Sequence, residues 1–119
     1  MNGPAVTTVY KICEREAWRA AEADGAFAGS DVDLRDGFIH FSTAAQVAET
    51  AAKHFAKQSG LMLVAVDGDA LGPALQWERS RGNDLFPHLY AALPLSAVRW
   101  ARPLPDEIDG RRVFPELKP

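Results

Sequence analysis

At 119 residues, 47% of them hydrophobic and 24% charged, the chain has the size and composition of one globular domain with a single core. A formal net charge of −3 argues against general binding to a phosphate backbone, which asks for a basic surface. The single cysteine, Cys13, excludes an intramolecular disulfide.

One cysteine fits a reducing compartment, no secretory leader is expected, and a cytoplasmic location follows as the expectation. The longest apolar run, Leu61 to Val66, is too short to span a bilayer, so no membrane partner is expected.

In chain order, Val6 to Ile12 is rich in β-branched residues and predicts a first strand. Glu14 to Ala23 predicts a helix. Its first turn carries Glu14 and Glu16, Gly25 is placed to end it, and Trp18, Ala21 and Ala17 form its inner face. Phe27 to Asp36 is turn-rich and predicts a connection. The stretch Gly37-Phe38-Ile39-His40-Phe41-Ser42-Thr43-Ala44-Ala45-Gln46 predicts a strand running straight into a helix. Thr43 and Gln46 have the spacing of a capping box, in which the Thr43 hydroxyl accepts the Gln46 N–H. The helix runs from about Ala44 to Lys57, with Val47, Ala51 and Phe55 as its apolar stripe and Gly60 as its stop.

Leu61 to Val66 predicts a central strand buried on both faces. Asp67-Gly68-Asp69 is a turn and Leu75 to Glu78 a short strand. Arg79 to Pro87 predicts a loop, and Leu89 to Ala92 another short strand. Ala97 to Ala101 is the last strand, with Val98 and Trp100 on the side opposite Arg99. Pro103, Pro105, Pro115 and Pro119 mark a tail that wraps the surface irregularly. The sum is α+β: one compact domain over 1–119, a mixed or antiparallel split sheet and two main helices, with residues 103–119 as a Pro-rich extension.

The candidate chemistry gathers at strand ends. His40, Ser42 and Thr43 sit beside the positive end of a helix, a place that suits an anion or polar ligand. His88 and Tyr90 share one strand face and can wall a flat, hydrogen-bonding ligand. Glu78 can orient a sugar hydroxyl or serve as a base, and Arg79 or Arg81, in a loop with Gly82, can clamp a phosphate. Each has a plainer reading: a hydrogen-bonded structural histidine, a buried tyrosine with a satisfied hydroxyl, a solvated loop with a local ion pair. His54 lies one step off the apolar stripe and reads as a boundary residue. Tyr10 and Lys11 point to opposite faces, so at most one can face a common site. No phosphate-binding glycine loop, dinucleotide fingerprint, paired C-x-x-C or H-E-x-x-H occurs. Cys13 reads as structural, and no metal is expected.

The segments T-V-Y-K-I, G-F-I-H-F-S-T-A-A-Q-V and R-G-N-D-L-F-P-H-L-Y-A-A-L-P-L-S-A-V together resemble the small, mostly bacterial family catalogued as domain of unknown function nine hundred and fifty-two. The likeness covers about Val6 to Arg102. It implies an ADP-ribosyltransferase-like fold, a compact split sheet with NAD bound in a cleft between its halves. Mapped by position, Tyr10-Lys11 would hold the first motif of that superfamily, Ile39-His40-Phe41-Ser42 the second and His88-Leu89-Tyr90 the third. The first strand has no histidine and the third slot no glutamate, which puts classical transfer to a protein side chain in doubt.

Three functions stay open at this point. One is a small enzyme, or a relic of one, that binds NAD or a related nucleotide with His40 and His88 as its acting residues. Lys11, Ser42, Thr43, Glu78, Arg81 and Tyr90 would then bind the ligand, His40 meeting ribose, Arg81 the pyrophosphate and Tyr90 stacking on a ring. The second is a non-catalytic module that recognises a small ligand or a protein. The third is a structural or oligomerising protein that uses Trp77 and Trp100 on an exposed sheet edge.

Overall fold

The computed structural model describes residues 7–119, leaving the side chain of Arg81 outside the description. Thr8–Glu14 form strand β1 and Arg15–Asp24 helix α1. Gly25 ends that helix at φ 87, a left-handed conformation that glycine adopts without a Cβ clash. Strand β2 (Ala26–Phe27), helix α2 (Asp31–Asp36), strand β3 (Ile39–His40) and helix α3 (Val47–His54) follow. Next come β4 (Leu61–Asp67), a 3-10 segment over Gly68–Ala74, β5 (Leu75–Arg79) and a 3-10 turn at Arg81–Asn83. Strands β6 (Leu85–Leu89) and β7 (Leu93–Pro94), a 3-10 turn at Leu95–Ala97 and strand β8 (Val98–Leu104) complete the regular structure of the described residues.

The strands form two three-stranded sheets, β1-β4-β8 and β3-β6-β5, and a small β2-β7 pair. Each of these pairings is antiparallel, so the parallel component of a mixed sheet does not occur among them. The two larger sheets meet at one bridge, where Tyr10 and Ser42 exchange backbone hydrogen bonds of 2.8 and 2.9 Å. Proline explains the split. β3 pairs with β6 at Ile39–Leu89 and His40–His88. One step on, the Phe41 N–H still reaches the Pro87 carbonyl at 3.0 Å, but Pro87 has no N–H to return. The ladder stops there, and the chain turns to pair with β1.

Leu61–Val66 is the buried central strand that its apolar run predicts, covered on both faces. One face packs Met62, Val64 and Val66 with Val9, Cys13 and, from α1, Trp18 and Ala21. The other packs Leu61, Leu63 and Ala65 with Tyr10 and Ile12 and, from α3, Val47 and Ala51. Phe114 and Leu117 of the C-terminal tail close this second side.

Several boundaries move. Val6 lies outside the described residues, and β1 runs on to Glu14. The expected connection from Phe27 to Asp36 contains α2, and α3 is shorter than the span from Ala44 to Lys57. The half of the Thr43–Gln46 box that forms is Gln46 Oε1 accepting the Thr43 N–H at 3.0 Å, while the Gln46 N–H goes to the Thr43 carbonyl oxygen. The late strand is Leu85–Leu89, so it contains Pro87 and ends before Tyr90. Strand alternation predicts Val98 and Trp100 on one side. A register shift opposite Ala65 and Val66 inserts an extra residue and turns Val98 to the first core and Trp100 to the second.

Candidate functional site

Helix α2 brings an acid to the site. Ser30-x-x-Asp33 is a capping box: the Ser30 N–H donates to Asp33 Oδ2 at 2.9 Å. The box turns Asp33 inward, where it is almost fully buried. There Lys11 Nζ meets Oδ2 at 2.7 Å, the His40 N–H donates to Oδ1 at 3.1 Å, and His40 Nδ1 stands 2.6 Å from the same oxygen. Burial on its own would raise the Asp33 carboxyl. The His40 bond and the Lys11 charge outweigh it and hold the group well below the usual carboxylate range. Burial lowers the Lys11 ammonium, against the opposing pull of Asp33. We regard the pair as ionised, because Asp33 has four donors around its two oxygens.

His40 is tied at both ends. Its Nε2 is 3.0 Å from Asp36 Oδ2, so each ring nitrogen stands within hydrogen-bond distance of a carboxylate. Asp36 is held down chiefly by its bond with Arg35.

The facing strands supply a second cluster. His88 sits opposite His40 in the β3–β6 pair, with the ring centroids 5.6 Å apart and edge-on. Its Nδ1 is 2.7 Å from Glu78 Oε1, which also accepts the Tyr90 hydroxyl at 2.8 Å. The His88 bond is the main cause of a lowered Glu78 carboxyl, and Glu78 in turn raises the Tyr90 phenol. Phe38 stacks on His88 at 4.1 Å and packs against His40 at 4.5 Å.

Between the two sheets lies a cavity of about 460 Å³. Its walls come from β1 (Tyr10, Lys11, Ile12), α2 (Val32, Arg35, Asp36), β3 and its continuation (His40, Phe41, Ser42), α3 (Thr50, His54, with Phe55), and Ser80, Phe86 and His88. The Ser42 and Thr50 hydroxyls are bonded at 2.8 Å. All three histidines of the chain face this one space.

Of the residues singled out in the sequence, Lys11, His40, Ser42 and His88 line the cavity. Tyr10 lines it too, although strand alternation alone allows only one of Tyr10 and Lys11 to face a common site. Both line it at the sheet junction, where Tyr10 bridges to Ser42. Glu78 and Tyr90 stand behind His88 rather than on the wall, and Tyr90 is about half exposed with its hydroxyl bonded to Glu78. Thr43 is off the wall, its N–H held by Gln46. The side chain of Arg81 lies outside the described residues. Trp77 is exposed, whereas Trp100 packs on Tyr10 at 6.0 Å and lies under the Arg102 guanidinium at 4.4 Å.

Sequence reasoning missed Asp33, Asp36, Arg35, Thr50 and the placement of His54. Ser30-x-x-Asp33 was the available signal for the first. Cys13 is fully buried, and burial pushes its thiol up to about 11, in keeping with a structural role. Among the described residues no three His, Cys, Asp or Glu side chains converge as a metal ion would require, and no helix is long and apolar enough to cross a membrane.

The profile of the family described as "Protein of unknown function (DUF952)" matches residues 12–101. The crystal structure of protein CC0527 from Caulobacter crescentus is 50% identical, with a TM-score of 0.86 over 90% of this chain and 94% of that one. The solution NMR structure of CC0527, also 50% identical, gives 0.77 over 87% and 89%. A crystal structure of a double mutant of CC0527 gives 0.86 at 48% identity. Comparison with curated proteins finds no significant match.

Proposed function

The chain belongs to the DUF952 family, and on that premise we propose that its cleft binds a nucleotide of the NAD type. The observation that carries the reading is the convergence of His40, His54 and His88 on one cavity between two sheet halves. Its volume falls in the range of small-ligand clefts, roughly 300–1,000 Å³. The lining suits a nucleotide: Arg35 for phosphate, the Ser42 and Thr50 hydroxyls and His88 for ribose, and Phe86 as an apolar wall for a ring. The family's resemblance to the ADP-ribosyltransferase-like fold adds support by analogy. In an active enzyme of this kind, attack falls on the nicotinamide-bearing ribose carbon through an oxocarbenium-like state. That chemistry asks for placement and electrostatics more than for a strong base.

A second reading, binding without turnover, is favoured by one observation. Asp36 is the one carboxylate on the cavity wall among the described residues, and it is already bonded to Arg35 and His40.

NMR titration of the three imidazoles with NAD tests the proposal. All three rings are expected to shift, because all three line the space, while the Trp18 indole in the first core stays still. His40→Ala combined with His88→Ala is expected to abolish the response. Three unmoved rings at millimolar NAD overturn the nucleotide reading, and binding with no nicotinamide release selects the second one.

A further inference from the structure

Glu78 is off the cavity wall, yet it holds a ring that is on it. His88 lines the cavity and is itself nearly buried, and among the described residues its hydrogen bond runs through Nδ1 to Glu78 Oε1 at 2.7 Å. An ionised carboxylate only accepts, so this bond places the ring proton on Nδ1 and leaves the lone pair of the neutral ring on Nε2. The Tyr90 hydroxyl, donating to the same Oε1 at 2.8 Å, fixes the carboxylate, and Phe38, stacked at 4.1 Å, fixes the plane of the imidazole. His40 on the facing strand has the opposite character, with both nitrogens committed to Asp33 and Asp36. Of the two facing rings, His40 has a carboxylate at each nitrogen, while His88 has one at Nδ1 and offers Nε2 as an acceptor.

We propose that Glu78 is a positioning residue that fixes His88 as the Nδ1–H tautomer and presents Nε2 to the cleft as an acceptor, so that the cleft selects ligands with a donor hydroxyl there, as a ribose has. The inference deepens the nucleotide reading and rests on it for its ligand class. The physical reason for selectivity is asymmetry. A ligand that lacks the hydroxyl leaves a nearly buried acceptor without a partner, and such a site discriminates more sharply than an apolar pocket does.

The test uses the full chain with nitrogen-15-labelled histidine, at a pH above the ordinary imidazole range of about 6.5. His88 is expected to show a protonated Nδ1 and an unprotonated Nε2. Glu78→Ala is expected to shift it to a mixture of tautomers, and Glu78→Gln, which keeps an acceptor oxygen, to restore the Nδ1–H form. Because Glu78 is only partly buried, both variants are expected to fold, which the dispersion of the backbone amide spectrum checks. In parallel, adenosine monophosphate is expected to bind at least about tenfold more tightly than its 2′,3′-dideoxy counterpart, the weight of one hydrogen bond or more. The preference is expected to shrink in Glu78→Ala. A proton on Nε2 in the unmodified protein, a tautomer indifferent to Glu78→Ala, or equal affinity for the two nucleotides overturns the inference. If the tautomer is as expected and neither nucleotide binds, the nucleotide reading fails and takes the ligand class with it, while the hold of Glu78 on His88 stands.

Discussion

Asp33 is the residue on which the site's charges depend. Its two oxygens serve donors from three separate places: Ser30 at its own helix start, His40 on β3 and Lys11 on β1. Removing it leaves the Lys11 ammonium, 4% exposed, without its counter-charge. Breaking a buried pair from one side costs about 3–5 kcal/mol, and Asp33→Asn is expected to lose stability in that range near neutral pH. The pH dependence has a definite sign. The folded carboxyl lies well below its unfolded value of about 3.9, so its stabilisation is fully present above that value. It is then lost as pH falls below about 4 toward the folded value. Urea unfolding of both proteins across the acid range checks this. The gap between them is expected to narrow below pH ~4, and a gap that stays constant down to strongly acidic pH counts against the ion-pair account.

At the scale of elements, legibility follows the apolar pattern. Helix α1 is readable because Trp18 and Ala21 recur on one face and Gly25 ends it, and β4 because six apolar residues run together. Helix α2 is not, because its pattern is inverted: Val32 and Leu34 are exposed while Asp33 is buried. Pro87 misleads in a related way. Sequence places this proline at the end of a loop, just before a short strand, and it stands inside a strand, where its missing N–H ends the pairing with β3. His40 and His88 are legible as candidates from strand position, but their carboxylate partners depend on contacts between elements that the chain order does not show. The placement of α2 can be tested at Gly29, which has φ +123 and where an added Cβ would lie 2.8 Å from the Asp33 Cβ. Gly29→Ala adds backbone strain and pushes directly on the buried acid, and it is expected to cost about 1–3 kcal/mol. The His40 ring resonances are expected to move with it, since His40 is bonded to Asp33. A variant as stable as its parent, with His40 unmoved, sinks this account of the loop.

The two larger sheets are joined at one bridge, and a cavity at such a junction keeps its shape only if its outer wall is anchored. Helix α3 supplies that wall, and the C-terminal tail holds the end of α3. Arg112, its side chain 3% exposed, donates to the carbonyls of Phe55 at 2.9 Å, Pro105 at 2.9 Å and Gln58 at 3.4 Å. A cation at this end also suits the negative end of the helix dipole. The Lys57 N–H reaches Glu107 at 3.1 Å, and the Tyr10 hydroxyl donates to the Lys118 carbonyl at 2.8 Å, so the strap is tied at both ends to residues in or next to the cavity wall. Arg112→Ala removes charge-assisted bonds and leaves inward-facing carbonyls unpaired, an expected loss of about 1.5–3 kcal/mol. Urea unfolding separates two ways this can happen. A lower midpoint at unchanged slope means that the tail stays packed with weaker bonds, and a changed slope means that it has come away and altered the surface buried on folding. Release is expected to carry the His54 resonances with it, because His54 is the last residue of α3 and lines the cavity. An unchanged midpoint shows instead that Phe114 and Leu117 hold the tail by packing alone, and that the wall of the cleft does not depend on Arg112.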